Sequence, residues 1–509
     1  MEVLVLLLQG VWNTFLNSHF YWVFMSEELA EVHVETKTSL WNVFAWSLYD
    51  LANTVYSMVI VSLIINQYIL IIGQLENGLN YAQSEFIYDT VVMVMQIIIA
   101  IGMPIVGALS DVAGRRKPFV IVLTGVILIF ASLLGIWHSM WLVLLLYVIA
   151  NMAYQWSLGF YDAMLPFIAA PRHAGKVGGF GVAFGYLGTI LGLAAMLVLQ
   201  SFWGSPRSVS STTTDLGNII LNPPPVKYGY LGRWETFAIA MAIFLVFAIP
   251  FIFVKERKRS EKAPPAKMAI KTSFKQLGET FKDIRGHKEM FKFIIGYFLV
   301  VEVANVVIIK MILIVTDGMG MDYTFANYFI IIATVSAVLF TYPVGMFADK
   351  KGAKATFILV CSLWFVALGI SIIATLVWSP IEVPTMLGGT GGWTFPFVMV
   401  LIMGLLAGPA LGGTWVAQRY MVLELAPKEK FGEYFGFSKL SGKVSSSIGP
   451  IIWGAIIALT TVGLALNQVY AFAVGVVGAI MLVGLVIILL VKPAKLILKE
   501  EGIIPIKKE

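Results

Sequence analysis

Repeated apolar stretches, each about long enough to cross a hydrocarbon core, most limit what this chain can become. A helix needs about 20 apolar residues for that crossing. By that ruler residues 41–72, 87–109, 118–137, 141–163, 177–200, 235–254, 291–315, 324–347, 354–377, 395–417, 434–460 and 467–491 mark out about twelve spans. Composition agrees: 59% of the 509 residues are hydrophobic, 13% are charged, and the mean hydropathy is +0.86. Soluble chains are roughly half apolar and about a quarter charged. The expectation is an all-α polytopic membrane protein. The net charge of +6 sits in short loops, where it sets topology, so no nucleic-acid partner is expected. The single cysteine, Cys361, lies in an apolar run and reads as a small buried hydrophobe. No zinc, haem or phosphate-loop spacing is present, so no metal or cofactor is expected. No nucleophile–base pair lies in the spans, which argues against an enzyme.

Loop charge sets the orientation. Alternate loops carry Arg115, Arg116 and Lys117; Arg172 and Lys176; the stretch 255–290; Lys350, Lys351 and Lys354; and Lys428 and Lys430. The loops between them at 73–86, 138–140, 316–323 and 378–394 hold no lysine or arginine. That alternation puts both termini in the cytoplasm. The loop 201–234 is the exception, with Arg207, Lys227, Arg233 and the run Pro223–Pro225. At the start, an apolar run without a basic region or cleavage site precedes an acidic segment opening at Met25. The reading frame is expected to begin there, leaving residues 1–24 untranslated.

The chain divides into an N-terminal segment (1–40), a six-helix half (41–254), a basic linker (255–290), a second half (291–491) and a cytoplasmic tail (492–509). The linker opens KERKRSEKAPPAK, solvated and broken by proline. It continues with Phe274, Leu277, Phe281 and Ile284 on one helical face, an amphipathic helix suited to lipid headgroups. Two features repeat between the halves. Gly107, Asp111 and Gly114, followed by Arg115 and Arg116, punctuate one basic loop. Gly345, Asp349 and Gly352 stand at the same offsets in another, with lysines around the second glycine. Asp50 and Asn53 in the first span, and Glu302 and Asn305 in the seventh, share an acid-x-Ala-Asn pattern that places acid and amide on one helix face. Two repeated features at matching positions point to internal duplication.

Ionisable groups near a bilayer centre cost about 2.5–3.5 kcal/mol on insertion scales, so each is a candidate functional group. Asp50 and Glu302 are expected to face a central cavity from symmetry-related helices and to bind a charged solute group, a proton, or both. Low dielectric favours the neutral form of a carboxyl group, which suits a proton carrier. A pairing of Glu302 with Lys310 would give a structural ion pair instead. Asn53 and Asn305 serve the cavity or bond a neighbouring carbonyl. Asp162 is either a site residue or solvated at the span's end. Lys439 and Lys443, four apart on one face, are either site residues or reach water. The fifth span holds Gly178, Gly179, Gly181, Gly185, Gly188 and Gly192. The eleventh holds Gly436, Ser441, Gly442, Ser445 and Gly449. Both are expected to form inter-half contacts that slide during transport.

The loop pattern resembles that of the major facilitator superfamily, met at Gly107, Asp111, Gly114, Arg115 and Arg116. The resemblance implies twelve transmembrane helices in two pseudo-symmetric six-helix halves. WSLYDLANTVYS in the first span is similar to a pattern of the autophagy-related vacuole effluxer family, which has prokaryotic members. The similarity continues through Tyr161–Pro166, residues 175–188 and residues 412–450, where Gly412, Gly413, Arg419, Pro427, Gly436, Lys439, Gly442 and Lys443 match. The chain departs at Leu51, Asp162, Trp415 and Gln418. The family implies amino-acid export, with Arg419 added to the candidate site residues.

These features imply a secondary transporter of a small polar solute, with amino acids as one class, working by alternating access and exporting as a monomer among membrane lipids. A drug or sugar exporter of the same fold is the alternative. A membrane sensor that moves nothing is a further one. Asp111 is expected to meet the N-terminus of the eleventh helix or the arginines of its own loop, gating the cytoplasmic side. Asp349 is expected to matter less.

Overall fold

The computed structural model describes residues 39–79, 81–169, 173–203, 234–256, 288–321, 323–387, 389, 391–426, 430–457 and 464–492, with parts of 271–279. The expectations for the start at Met25, for Pro223–Pro225 and for the face through Leu277, Phe281 and Ile284 lie outside the described residues, as does the tail beyond 492.

The described residues are helical almost throughout. In chain order the helices are α1 (Leu40–Val55), α2 (Ile65–Leu75), α3 (Tyr81–Ala113), α4 (Lys117–Ser132), α5 (Met140–Asp162), α6 (Leu165–Ile168), α7 (Ala174–Trp203), α8 (Trp234–Ala248), α9 (Lys288–Leu313), α10 (Tyr323–Ile373), α11 (Phe395–Leu425), α12 (Phe431–Ile457) and α13 (Leu466–Leu489). Their starts are written locally. Ser39 accepts from the Asn42 N–H ahead of α1, and Thr394 accepts from the Phe397 N–H ahead of α11. Pro118 occupies the first turn of α4, where its missing N–H goes unneeded.

Among the described residues, eight helical stretches are long and apolar enough to cross a membrane by length and composition. The expected count of about twelve is met only in part by that measure. The first span, expected at 41–72, is continuous but interrupted by a π-helical segment, Tyr56–Ile64, between α1 and α2. Helix α4 has only 16 residues. Phe329–Trp378 runs for 50 residues, yet Gly352 breaks it with φ 82° and ψ 172°. That left-handed turn, which glycine adopts without strain, makes two spans of one helical stretch. Gly114 has φ 65° in the matching loop.

Helix α3 packs on α12, and α7 on α10, so N-terminal helices meet C-terminal ones through both pairs. Within each set, α1 lies on α7 and α9 on α12 and α13. The glycines show how. A Cβ on Gly107 would collide with the Gly432 backbone, and one on Gly345 with the Gly175 backbone. Gly179 and Gly436 likewise face the opposite set, at Thr341 and Met103. The rest do not. Gly181, Gly185, Gly188 and Gly192 face Trp46, Thr54, Leu51 and Val59 of their own set, and Gly449 faces Glu302. The expectation that the whole glycine runs of α7 and α12 form inter-half contacts is therefore corrected. Only their loop-side ends cross; the remainder lets α1 and α9 approach closely. Small residues mark close approach without saying which neighbour approaches.

Candidate functional site

A cavity of ≈ 320 Å³ opens between the two sets of helices. From the N-terminal set it is lined by Asp50, Asn53 and Thr54 of α1, Ser57 just beyond, Met103 of α3, Tyr154, Gln155 and Leu158 of α5, and Val182, Gly185 and Tyr186 of α7. From the C-terminal set come Tyr297 and Asn305 of α9, Trp415, Gln418 and Arg419 of α11, and Ser438, Lys439, Gly442, Lys443 and Ser446 of α12.

Buried ion pairs link its two sides. Arg419 Nη2 lies 2.9 Å from Asp162 Oδ1 and 3.4 Å from Asp50 Oδ2, and Lys439 Nζ lies 2.6 Å from Asp162 Oδ2. The acids come from α1 and α5 and the cations from α11 and α12, so every pair crosses between the sets. Asp162 is fully buried, which excludes the solvated reading. Arg419 also lies over the rings of Trp46 at 5.6 Å and Tyr161 at 5.9 Å. Those rings stack at 4.5 Å, and each side chain donates to the other residue's carbonyl, Tyr161 Oη to Trp46 O and Trp46 Nε1 to Tyr161 O. The stack holds α1 against α5 and gives the guanidinium a flat seat. Lys443 shares the cavity wall with Lys439. Two acids, Asp50 and Asp162, and three cations, Arg419, Lys439 and Lys443, thus gather here. Such pairs repay desolvation only when well matched, and removing one partner strands a buried charge.

Asn53 is 1% exposed, and neither of its amide atoms has a hydrogen-bond partner among the described residues. Asn305 also lines the cavity. Glu302 does not, which corrects the expectation that it faces the cavity beside Asp50. It is 3% exposed and turned to Ser445 of α12. No ion pair joins it to Lys310 among the described residues, for eight residues of helix separate them by about 12 Å of rise. Sequence reasoning passed over Tyr154, Gln155, Tyr186, Tyr297 and Ser438. Aromatic and small polar residues are common in apolar spans, so nothing in the string singles these out. Gln418, noted only as a departure, donates to Ser438 at 2.7 Å.

The basic loops close one end of the cavity's helices. Asp111 accepts from the N–H groups of Gly432 and Glu433, both at 2.9 Å, in the first turn of α12. It also pairs with Arg116 at 2.6 Å. Asp349 accepts from Gly175 at 2.6 Å and Lys176 at 2.8 Å in the first turn of α7. Each acid thus sits on the positive end of a helix from the other set. Arg115 is exposed.

The sequence pattern of the Major Facilitator Superfamily matches residues 43–405. The chain belongs to the major facilitator superfamily. It is 26% identical over 424 residues to an uncharacterized MFS-type transporter, YxiO, of Bacillus subtilis (strain 168), an alignment covering 82% of this chain and 88% of that protein. Its fold is similar to that of the human organic anion transporter MFSD10, with TM-score 0.62 and 11% identity over 88% of this chain and 99% of that one. It is similar also to the proton:xylose symporter XylE, with TM-score 0.59 and 13% identity over 89% and 95%. At such identities the likeness shows the fold alone.

Proposed function

We propose that this superfamily member is a secondary active transporter exporting a small polar solute that bears a carboxylate, amino acids first among the candidates, by alternating access. The observation that carries the reading is the cavity's ion-pair network, in which Asp50 and Asp162 of one half meet Arg419 and Lys439 of the other. A solute carboxylate can take over a cation, and a solute amine can take over Asp50. Exchanging one pair for another leaves no stranded charge and frees the halves to move. Arg419 and Lys439 at the cavity favour a carboxylate over an organic cation, and Asn53 offers an uncommitted amide. The similarity of residues 412–450 to the vacuole effluxer family supports the same class. Asp111 and Asp349 serve as gates, holding the loop-side ends shut in this state and releasing them in the next. The protein works as a monomer in a prokaryotic plasma membrane with both termini cytoplasmic.

The alternative, a drug or sugar exporter, draws support from the aromatic walls of Tyr154, Tyr186, Tyr297 and Trp415. Counterflow in proteoliposomes with labelled amino acids, sugars, nucleosides and aromatic cations separates the two. Exchange of amino acids that Arg419→Met abolishes supports the first reading. Exchange of sugars or cations alone overturns it, and exchange of nothing across a broad panel favours a non-transporting sensor.

A further inference from the structure

Asp50, Asp162 and Glu302 are buried within the helices away from the basic loops; the first two meet cations and the third does not. Asp50 and Asp162 face Arg419 and Lys439. Glu302, on α9, has no ion pair among the described residues. Its bond comes from Ser445 Oγ on α12, and its Oε1 has no hydrogen-bond partner among those residues. We propose that Glu302, Ser445 and Asn305 form a reversible proton-binding site outside the solute cavity and connected to it.

The connection is a short chain of bonds. Asn305 stands one turn after Glu302 on α9 and lines the cavity. Its Nδ2 donates to Ser445 Oγ at 3.3 Å, which turns the serine hydroxyl proton toward the carboxyl group. Gly449, one turn after Ser445, provides the room, since a Cβ there would collide with Glu302 Oε1. The charged groups nearby are engaged or face elsewhere. Lys439 and Arg419 hold Asp162, and Lys443 lines the cavity wall. Lys310 lies eight residues along α9. Asp317, beyond α9, accepts from Tyr470 and Thr316. Helix α13 has no charged residue, and the nearest charges of α10 in sequence, Asp349 to Lys354, belong to its loop.

A carboxylate held by one hydroxyl in low dielectric costs several kcal/mol. Binding a proton to one carboxylate oxygen removes that charge and changes no other bond. The cost depends on Ser445 and on the dryness of the α9–α12 contact, so a shift of α12 against α9 changes proton occupancy. This ties a protonation step to a conformational step, and the coupling, though not the binding, rests on the transport reading.

Infrared difference spectroscopy on the purified full-length protein, from acid to alkaline pH, tests the binding. The expected result is a carboxylic-acid carbonyl band that is lost on alkalinisation and absent from Glu302→Gln, and whose frequency shifts in Ser445→Ala, which keeps the acid. Identical bands in parent and Glu302→Gln overturn the proposal. So does a Glu302 band that does not change with pH, or one that Ser445→Ala leaves in place. In proteoliposomes Glu302→Gln should lose pH-gradient-driven accumulation and keep counterflow; retained accumulation overturns the coupling. A parent protein that moves no solute refutes the transport reading, while the infrared result still decides the proton site.

Discussion

Asp111 and Asp349 hold matching places in two copies of one loop, and each accepts two backbone N–H bonds from the first turn of a helix in the other half. Up to there the loops are alike, glycine crossings included. They differ in what surrounds the carboxylate. Asp111 and Arg116 are each 4% exposed and paired, with the guanidinium 4.4 Å over the ring of Phe167. Asp349 is half-buried and has no ion pair among the described residues. Lys350 and Lys351 are exposed, and Lys354 Nζ turns away to the Leu489 carbonyl. Backbone geometry is thus repeated while the charge clamp is built on one side only. The α3–α12 contact should be the stronger gate, and the α7–α10 contact the one that yields first.

Asp111→Asn should have the largest effect. It strands Arg116 in a buried site, and breaking such a pair costs about 3–5 kcal/mol. Thermal unfolding of the purified protein and counterflow rate should both fall; an equal fall in Asp349→Asn would erase the distinction between the loops. Gly432→Ala comes next, because the new Cβ would collide with Ser110 Oγ and the Gly107 carbonyl, and overpacking costs about 1–3 kcal/mol. Cysteine-accessibility labelling should find the α3–α12 end more open, and unchanged labelling would show that the glycine contact does not hold the gate.

Asp349→Asn removes a charge, and one of two acceptor oxygens, from a helix N-terminus without stranding a buried cation. The expected loss is about 0.3–1 kcal/mol, seen as a small fall in the unfolding midpoint with most of the transport rate kept. Phe167→Leu keeps the Asp111–Arg116 pair and takes away only a cation–π contact; for this buried guanidinium the expected loss is about 2 kcal/mol or less. It should lower the midpoint only in a protein that retains Arg116, so an equal effect in an Arg116→Met background would remove Phe167 from the clamp.

How much of this was legible beforehand depends on the range of the interaction. Asp111 was readable because glycine spacing, acid and arginines fall within a few residues, and the second copy repeats the offsets. Asp50 and Asp162 were readable as candidates because a charge in an apolar span announces its cost. Their partner was not. Arg419 stands 369 residues from Asp50, and only the similarity of residues 412–450 brought it into view. The pairing of Asp50 with Glu302 across the repeat was half right in position and wrong in direction: Asp50 faces the cavity, whereas Glu302 turns to Ser445.

By itself the sequence determined the class of the molecule: apolar runs that need a membrane, loops whose charges alternate, a duplicated pattern, and a handful of costly ionisable groups. Those follow from hydropathy, helical period and local turn chemistry, which act within one helix or one loop. Only the tertiary structure decided which glycines face the other half and which acid has a cation. It also decided that one acid lies outside the cavity. Each of these depends on the rotation of a helix about its axis and on an atom within about 4 Å supplied by another helix, where the electrostatic energy is set. Helical period names a face; the packing of the two halves chooses what that face meets.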